Sequence, residues 1–306
     1  MPTTFITAHG ISRAFDGKQV LNAVDLRVGA GSVFGLVGLN GAGKTTLIRL
    51  LLGLLRPHGG SLSVLGFDPW RHDPRYYRRV GVVLEHDGFW GNLTFLQNLD
   101  LFGRAKGLSH EEVSRYVEEQ WGRAEIAHSG KKAKLFSRGQ RMQCALSRAF
   151  MGWPEVCLLD EPAVALDVEA YDHFCDLVRE ARSRGAAVVI SSHQLDTIQQ
   201  LCDVVGLLQE GRIDLLQGVE NPAETTWVLR AAGEDSYGDL IARHAAGKPS
   251  FKDGLWHFTV VDPDTTVPRL IAALVEAGCA VKEVRPVERD LRGRLRDTYT
   301  RAERSE

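Results

Sequence analysis

The residues most able to do chemistry lie in two short segments. The first, Gly38-Leu39-Asn40-Gly41-Ala42-Gly43-Lys44-Thr45, fits the pattern GxxxxGK[ST]. Glycines allow successive backbone N–H groups to curl around phosphate oxygens without side-chain clashes. A helix that starts at such a loop points its positive end at the same anion. Lys44 then reaches the β- and γ-phosphates of a nucleoside triphosphate, and the Thr45 hydroxyl can ligate Mg²⁺. The second segment, Val156-Cys157-Leu158-Leu159-Asp160-Glu161-Pro162, is an apolar run that ends in two acids. At the carboxyl end of a strand in an α/β sheet, such acids face the ligand crevice. Asp160 is expected to hold the Mg²⁺ shell and Glu161 to orient or deprotonate an attacking water. An acid pair of this kind would also suit a solvated turn; the phosphate loop favours the functional reading.

Both segments need elements to hold them. Residues 5–35 alternate apolar and polar, with turn signals at Asp16-Gly17 and Gly29 to Gly31, and read as several β-strands. Val33–Val37 runs into the glycine loop, and residues 45–55 have helical periodicity. Strand, loop and helix make half of a βαβ unit. Residues 156–159 and 187–190 look like buried parallel strands. From 84 to about 151 the chain is rich in Glu, Gln, Arg and Lys. Val113, Tyr116, Val117 and Trp121 are there at helical spacing, so a mostly helical insertion is expected. Residues 218–224 hold Gly, Asn and Pro and read as a linker. A small α/β pattern follows: strands at 227–230 and 256–261, a helix at 267–277, a strand at 280–284 and a charged terminal helix at 290–304. The expected organisation is a nucleotide-binding domain over 1–217, with a helical subdomain at about 86–151, a linker at 218–224, and an accessory, regulatory or dimerisation domain over 225–306.

Composition narrows the classes. In 306 residues, 44% are hydrophobic and 25% charged, which suits a globular chain and excludes a disordered one. The formal charge of −2 argues against a polybasic nucleic-acid binder, and no nucleic-acid partner is expected. Five scattered cysteines with no CxxC pair argue against a disulfide framework or structural zinc, and fit a reducing compartment. Residues 1–10 show no signal-peptide pattern. The greasiest stretch, 47–55, is too short to span a bilayer and carries Arg49. The expected location is cytoplasmic, peripheral on the inner face of a membrane through a partner.

Three further segments resemble the ATP-binding-cassette (ABC) ATPases. Phe136-Ser137-Arg138-Gly139-Gln140 is similar to that family's LSGGQ signature, Ala165-Leu166-Asp167 to its D-loop, and Ser191-Ser192-His193 to its switch histidine. Each is weak alone; their order and spacing carry the resemblance, which covers about residues 4–216. It implies an α/β fold: a RecA-like phosphate-loop core with an antiparallel β subdomain and a helical insertion. The small C-terminal α/β domain lies beyond it. It implies ATP and Mg²⁺ as ligands, and a head-to-tail dimer with ATP between the subunits. On this resemblance Gly38, Asn40, Gly41, Ala42, Gly43, Lys44, Thr45 and Thr46 bind nucleotide. Ser137 and Gly139 contact the γ-phosphate held by the opposite subunit, Gln140 belongs to the nucleotide-binding set, and Asp167 crosses the interface. His193 holds the water and Glu161 in line, so that Lys44, Glu161 and His193 form the catalytic set. Phe15 stands where the family stacks an aromatic on adenine, although a core Phe on a strand would read the same.

Two departures from the family pattern stand out. Arg138 replaces the first of the paired signature glycines. Glu85 stands where the family usually has a Gln that contacts Mg²⁺ and the water, and a carboxylate offers Mg²⁺ equally hard oxygen. The run from Glu85 to Thr94 resembles the bacitracin- and lantibiotic-resistance branch, with Asp87 in place of a Pro. Phe89, Trp90 and Phe95 fall where the family docks its membrane subunit, and would otherwise be core. The resemblance implies the ATPase subunit of a bacterial exporter, a homodimer energising separate transmembrane subunits. The alternative is a non-transport ABC ATPase acting as a nucleotide switch in translation, repair or regulation.

Overall fold

The computed structural model describes residues 3–84, 88–216, 225–231, 237–252 and 254–286. The Asp16-Gly17 pair, both at positive φ, forms a two-residue turn between β1 (Thr4–Phe15) and β2 (Lys18–Gly29). Such turns match the right-handed twist of the strands they join. β3 (Val33–Val37) is buried at every residue and leads into the glycine loop; α1 (Lys44–Leu51) follows. The helix expected to run to 55 stops at Leu51, just before Gly53 at φ 72°. β4 (Gly59–Val64) pairs with β1 and completes an antiparallel sheet of order β2-β1-β4.

A short helix α2 (Pro74–Arg78) precedes β5 (Val80–Val83), a four-residue strand too short to stand out in the sequence. Helices α3 (Phe95–Lys106), α4 (His110–Trp121), α5 (Glu125–His128) and α6 (Arg138–Phe150) make up most of the insertion. α3, α4 and α6 each start with a capping box, at Thr94/Gln97, Ser109/Glu112 and Ser137/Gln140. Each box satisfies orphan N–H groups reciprocally at a helix start. β6 (Val156–Asp160), α7 (Val168–Ser183), β7 (Ala187–Ser191), α8 (Leu195–Leu201), β8 (Val204–Gln209) and β9 (Arg212–Leu216) follow.

The second sheet has the order β5-β6-β7-β3-β8-β9, parallel except for β9. β3, β6 and β7 are buried throughout, as unbroken aliphatic runs require when both faces are covered. All five cysteines are free and buried, and burial pushes the Cys157 thiol up to about 12, which leaves it unreactive.

The chain divides into two units, Met1–Leu216 and Gln217–Glu306. In the second, β10 (Thr225–Ala231), α9 (Gly238–His244), β11 (Ser250–Lys252), β12 (Leu255–Val260), α10 (Pro263–Glu276) and β13 (Val281–Pro286) form an antiparallel sheet of order β11-β12-β10-β13. This is a split β-α-β arrangement. Trp256, Phe258 and Val260 alternate along β12 and join Leu229, Ile241, Leu270 and Leu274 in a core of their own. α9 and β11 had no clear sequence signal. α10 starts earlier than expected, because Pro263 suits a first helical position, and it carries Pro268 inside. The expected linker at 218–224 and terminal helix at 290–304 lie outside the described residues.

Leu158 is fully buried in the central sheet. Leu158→Ala should cost about 2–5 kcal/mol. Chemical denaturation checks this; a loss below about 1 kcal/mol would mean that the neighbouring strands collapse into the space.

Candidate active site

Parallel pairing brings three strand ends together. Asp160 on β6 lies in register with Ser191 on β7, and Leu36 on β3 is in register with the same serine. The glycine loop leaves β3 at this edge. Gly43 is the N-cap of α1 at φ 108°, and a Cβ there would lie 3.0 Å from a Val20 methyl, so only glycine fits. No acid occupies the first turn of α1, which leaves its positive end uncompensated.

The side chains expected at the site converge here. Lys44 is 6% exposed; its Nζ donates to the carbonyls of Gly38 (2.8 Å) and Leu39 (3.3 Å). It also lies 3.8 Å from Glu161 Oε1. Thr45 Oγ1 donates to Asp160 Oδ2 at 2.7 Å. Asp160, 4% exposed, accepts at its other oxygen from Ser191 Oγ at 2.5 Å. Glu161 sits at φ 50°, and its Oε2 is 2.8 Å from His193 Nδ1. A depression of about 210 Å³ opens over Leu39, Asn40, Gly41, Gly43 to Thr46, Asp160 and Glu161.

The donor set fits a magnesium nucleotide. A buried ammonium held, among the described residues, by its own loop's carbonyls and one distant carboxylate has donors to turn towards phosphate. A hydroxyl and a carboxylate oxygen already 2.7 Å apart are hard donors of the kind Mg²⁺ selects.

Phe15 ends β1 at 39% exposure, so it is not a core residue; the Arg13 guanidinium lies 4.7 Å from its ring centre. The signature residues sit elsewhere. Ser137, Gly139 and Gln140 line a separate cavity of about 1060 Å³, together with Leu166 and Asp167. The side chains of Ser137 and Gln140 cap α6 reciprocally, and Asp167 caps α7 by accepting from the Ala170 N–H at 2.9 Å. Arg138 is the first residue of α6 in ordinary helical conformation, where any side chain is tolerated. Gly139 is different: a Cβ would lie 2.8 Å from the Ala165 carbonyl oxygen.

Glu85 and Asp87 lie outside the described residues. Of the three aromatics that follow, Phe95 is core, 1% exposed against Trp121, which corrects its reading as an interface residue. Trp90 is 52% exposed and Phe89 is half-buried against Phe102. Buried Asn98 holds Trp90 in place: its Oδ1 accepts from the Trp90 N–H (2.9 Å) and its Nδ2 donates to the Trp90 carbonyl (3.2 Å). Ser191, Arg13 and Asn98 are the residues at these sites that sequence reasoning missed. The one available signal was a serine closing an otherwise aliphatic strand.

A glycine loop after a central strand, with an acid pair at the carboxyl edge of a neighbouring parallel strand, defines a phosphate-loop nucleotide-binding protein. Known proteins narrow the class. Residues 21–164 match the ABC transporter family. The chain is 32% identical over 292 residues to the daunorubicin resistance ATP-binding protein DrrA3 of Streptomyces coeruleorubidus, covering 93% of this chain and 92% of that protein. It is 32% identical over 213 residues to the bacitracin transport ATP-binding protein BcrA of Bacillus licheniformis, 69% of each chain. A solved ATP-binding subunit of an ABC transporter superposes with a TM-score of 0.65 at 28% identity, covering 68% of this chain and 88% of that one. The chain belongs to the ABC transporter ATP-binding family and is an ATPase. Among the described residues no helix is long and apolar enough to cross a membrane.

Because the Gly139 contact is backbone on backbone, Gly139→Ala should cut ATPase activity at least about tenfold while nucleotide binding at the phosphate loop persists. Arg138→Gly should change the rate by less than about threefold. Steady-state ATPase assays with fluorescent-nucleotide titration check both; equal effects would place the signature turn outside the hydrolytic step.

Proposed function

We propose that this chain is the ATP-hydrolysing subunit of an exporter of the bacterial type, working as a head-to-tail homodimer on the cytoplasmic face of the cell membrane and energising separate transmembrane subunits. One observation carries the reading. The depression over the phosphate loop and the cavity beside the signature share no residue. This separation supports a reading in which each chain offers two unlike half-sites and a second copy turned head to tail completes both. The likeness to a bacitracin transport protein and to a daunorubicin resistance protein supports transport out of the cell. The transported substrate would be selected by the membrane subunits.

In this reading Thr45 and Asp160 hold Mg²⁺, which when bound neutralises charge on the β- and γ-phosphates. Lys44 leaves the Gly38 and Leu39 carbonyls for phosphate oxygens. The same movement takes it away from Glu161 Oε1 and frees that oxygen to accept a proton from the attacking water. The bond from the water oxygen to the γ-phosphorus forms as the bond to the β–γ bridging oxygen breaks, and ADP and phosphate result. His193 holds Glu161 Oε2 and keeps the carboxylate in line. Phe15 offers one ring face to adenine while Arg13 backs the other. Ser137, Gly139 and Gln140 of one copy meet the γ-phosphate on the other, with Asp167 at the boundary. The exposed Trp90 and the loop that begins at Glu85 dock the membrane subunit, and the C-terminal unit serves dimerisation or regulation.

Two experiments test the reading. Tagged protein recovered from native membranes with ATP present should bring down a polytopic membrane protein; a wholly water-soluble eluate would overturn the exporter assignment. Glu161→Gln should bind ATP as the wild type does, hydrolyse it at least about 100-fold more slowly, and accumulate an ATP-dependent dimer on gel filtration. Wild-type turnover in that variant would remove Glu161 as the base. Lys44→Ala should instead lose nucleotide binding itself.

A further inference from the structure

We infer that Ser191 is a positioning residue for ATP hydrolysis: one buried hydroxyl fixes the Asp160 carboxylate and anchors the backbone of Glu161. The inference rests on the reading above that Asp160 and Thr45 hold Mg²⁺.

Ser191 closes β7, in register with Asp160 on one side and Leu36 on the other. It is fully buried, and the rest of β7 is Ala, Val, Val and Ile. An aliphatic residue would satisfy such a strand better, because burying a hydroxyl is unfavourable unless it is hydrogen-bonded. This hydroxyl is used in both directions. It donates to Asp160 Oδ1 at 2.5 Å and accepts from the Glu161 N–H at 3.1 Å. The Ser191 carbonyl accepts from the same N–H at 3.1 Å.

These contacts have two consequences. A carboxylate turns easily about its terminal torsion, whose energy well is broad and roughly two-fold. With Oδ1 fixed by Ser191, Oδ2 remains 2.7 Å from Thr45 Oγ1, where a metal ligand is needed. Glu161 stands at φ 50°, in the left-handed region that a non-glycine residue occupies at a cost. Its N–H is tied to the residue that also fixes Asp160. Two positions further on, His193 holds the Glu161 carboxylate at 2.8 Å. The end of β7 thus positions metal ligand and base together. Partners that act behind metal ligands typically change metal affinity or activity by about 10- to 100-fold when removed.

The test is Ser191→Ala, with Ser191→Thr as the variant that keeps the hydroxyl. Ser191→Ala should lower kcat at least about tenfold, leave the KM for ATP within about threefold, and raise the Mg²⁺ concentration for half-maximal rate at least about threefold. Ser191→Thr should recover most of the rate. A second readout does not depend on turnover: the rise in Tm given by a non-hydrolysable ATP analogue, with Mg²⁺ and with EDTA. The wild type should gain an extra Mg²⁺-dependent increment; Ser191→Ala should lose it and keep the EDTA-insensitive part. A purely structural serine would lower the Tm of the free protein and leave both increments intact. Ser191→Cys, close in volume and only a weak donor, covers the case in which the Ala variant does not fold, and the same loss is expected there. Wild-type kcat and a wild-type Mg²⁺ increment in whichever variant folds would overturn the inference. If the wild type itself shows no nucleotide stabilisation, the reading of the whole site falls and Ser191 falls with it.

Discussion

Two opposite charges are buried at the carboxyl edge of an apolar parallel sheet, and the site is arranged around that constraint. Lys44 and Asp160 are both almost fully enclosed. Taking an ion out of water costs several kcal/mol even after relaxation, so each needs full hydrogen bonding where it sits. Lys44 makes two such bonds, to the Gly38 and Leu39 carbonyls, and Asp160 accepts one at each oxygen, from Thr45 and Ser191. None of these partners is a full counter-charge, and Glu161 is too far from Lys44 for a hydrogen bond. The arrangement is satisfied yet keeps its charges available, as a site that exchanges its own contacts for those of a polyanion requires.

The turn after Asp160 shows how backbone conformation links the phosphate-loop site to the segment that resembles the signature. Glu161 and Ala165 both hold positive φ, 50° and 68°. Strained residues of this kind persist only where their surroundings over-determine them. Glu161 is held by Ser191 at the end of β7 and by His193 two residues beyond it. The Ala165 carbonyl closes on Gly139 so tightly that no side chain fits between them. Glu161, the turn and Gly139 are therefore joined by close backbone approaches. Arg138 stands in ordinary helical conformation where the family has a glycine, whereas a Cβ at Gly139 would lie 2.8 Å from the Ala165 carbonyl oxygen.

What the sequence made legible was contiguous chemistry. The glycine loop, the acid pair after an aliphatic strand, and the order of signature, D-loop and switch segments need only neighbours in the chain. β1, β2 and β3 were legible from alternation and from a two-residue turn, and the insertion from helical spacing. Less legible were features set by partners distant in sequence. Phe95 looks like its neighbours Phe89 and Trp90, yet it is 1% exposed and packs against Trp121, a partner distant in sequence. Ser191 reads as part of a Ser-Ser-His string, and its role depends on the register of β6 against β7. β5 and β11, four and three residues long, are too short to carry a period of their own.

The exposed aromatic segment is held by the signature helix rather than standing free. Arg148, near the end of α6, places its guanidinium 5.1 Å from the Phe89 ring and 4.9 Å from Phe102, and donates to the Val82 carbonyl at 3.3 Å. Lys106, at the end of α3, donates to the Met151 carbonyl at the C-cap of α6. Asn98 then fixes Trp90 on the same helix α3. Cation–π contacts and buried hydrogen bonds of this kind are short-ranged and directional, so they tolerate little sliding between the elements they join. α6 begins just after its N-cap Ser137 and ends among these contacts. The helix that begins after Ser137 and the segment that presents Trp90 are thus packed together through Arg148, Lys106 and Asn98.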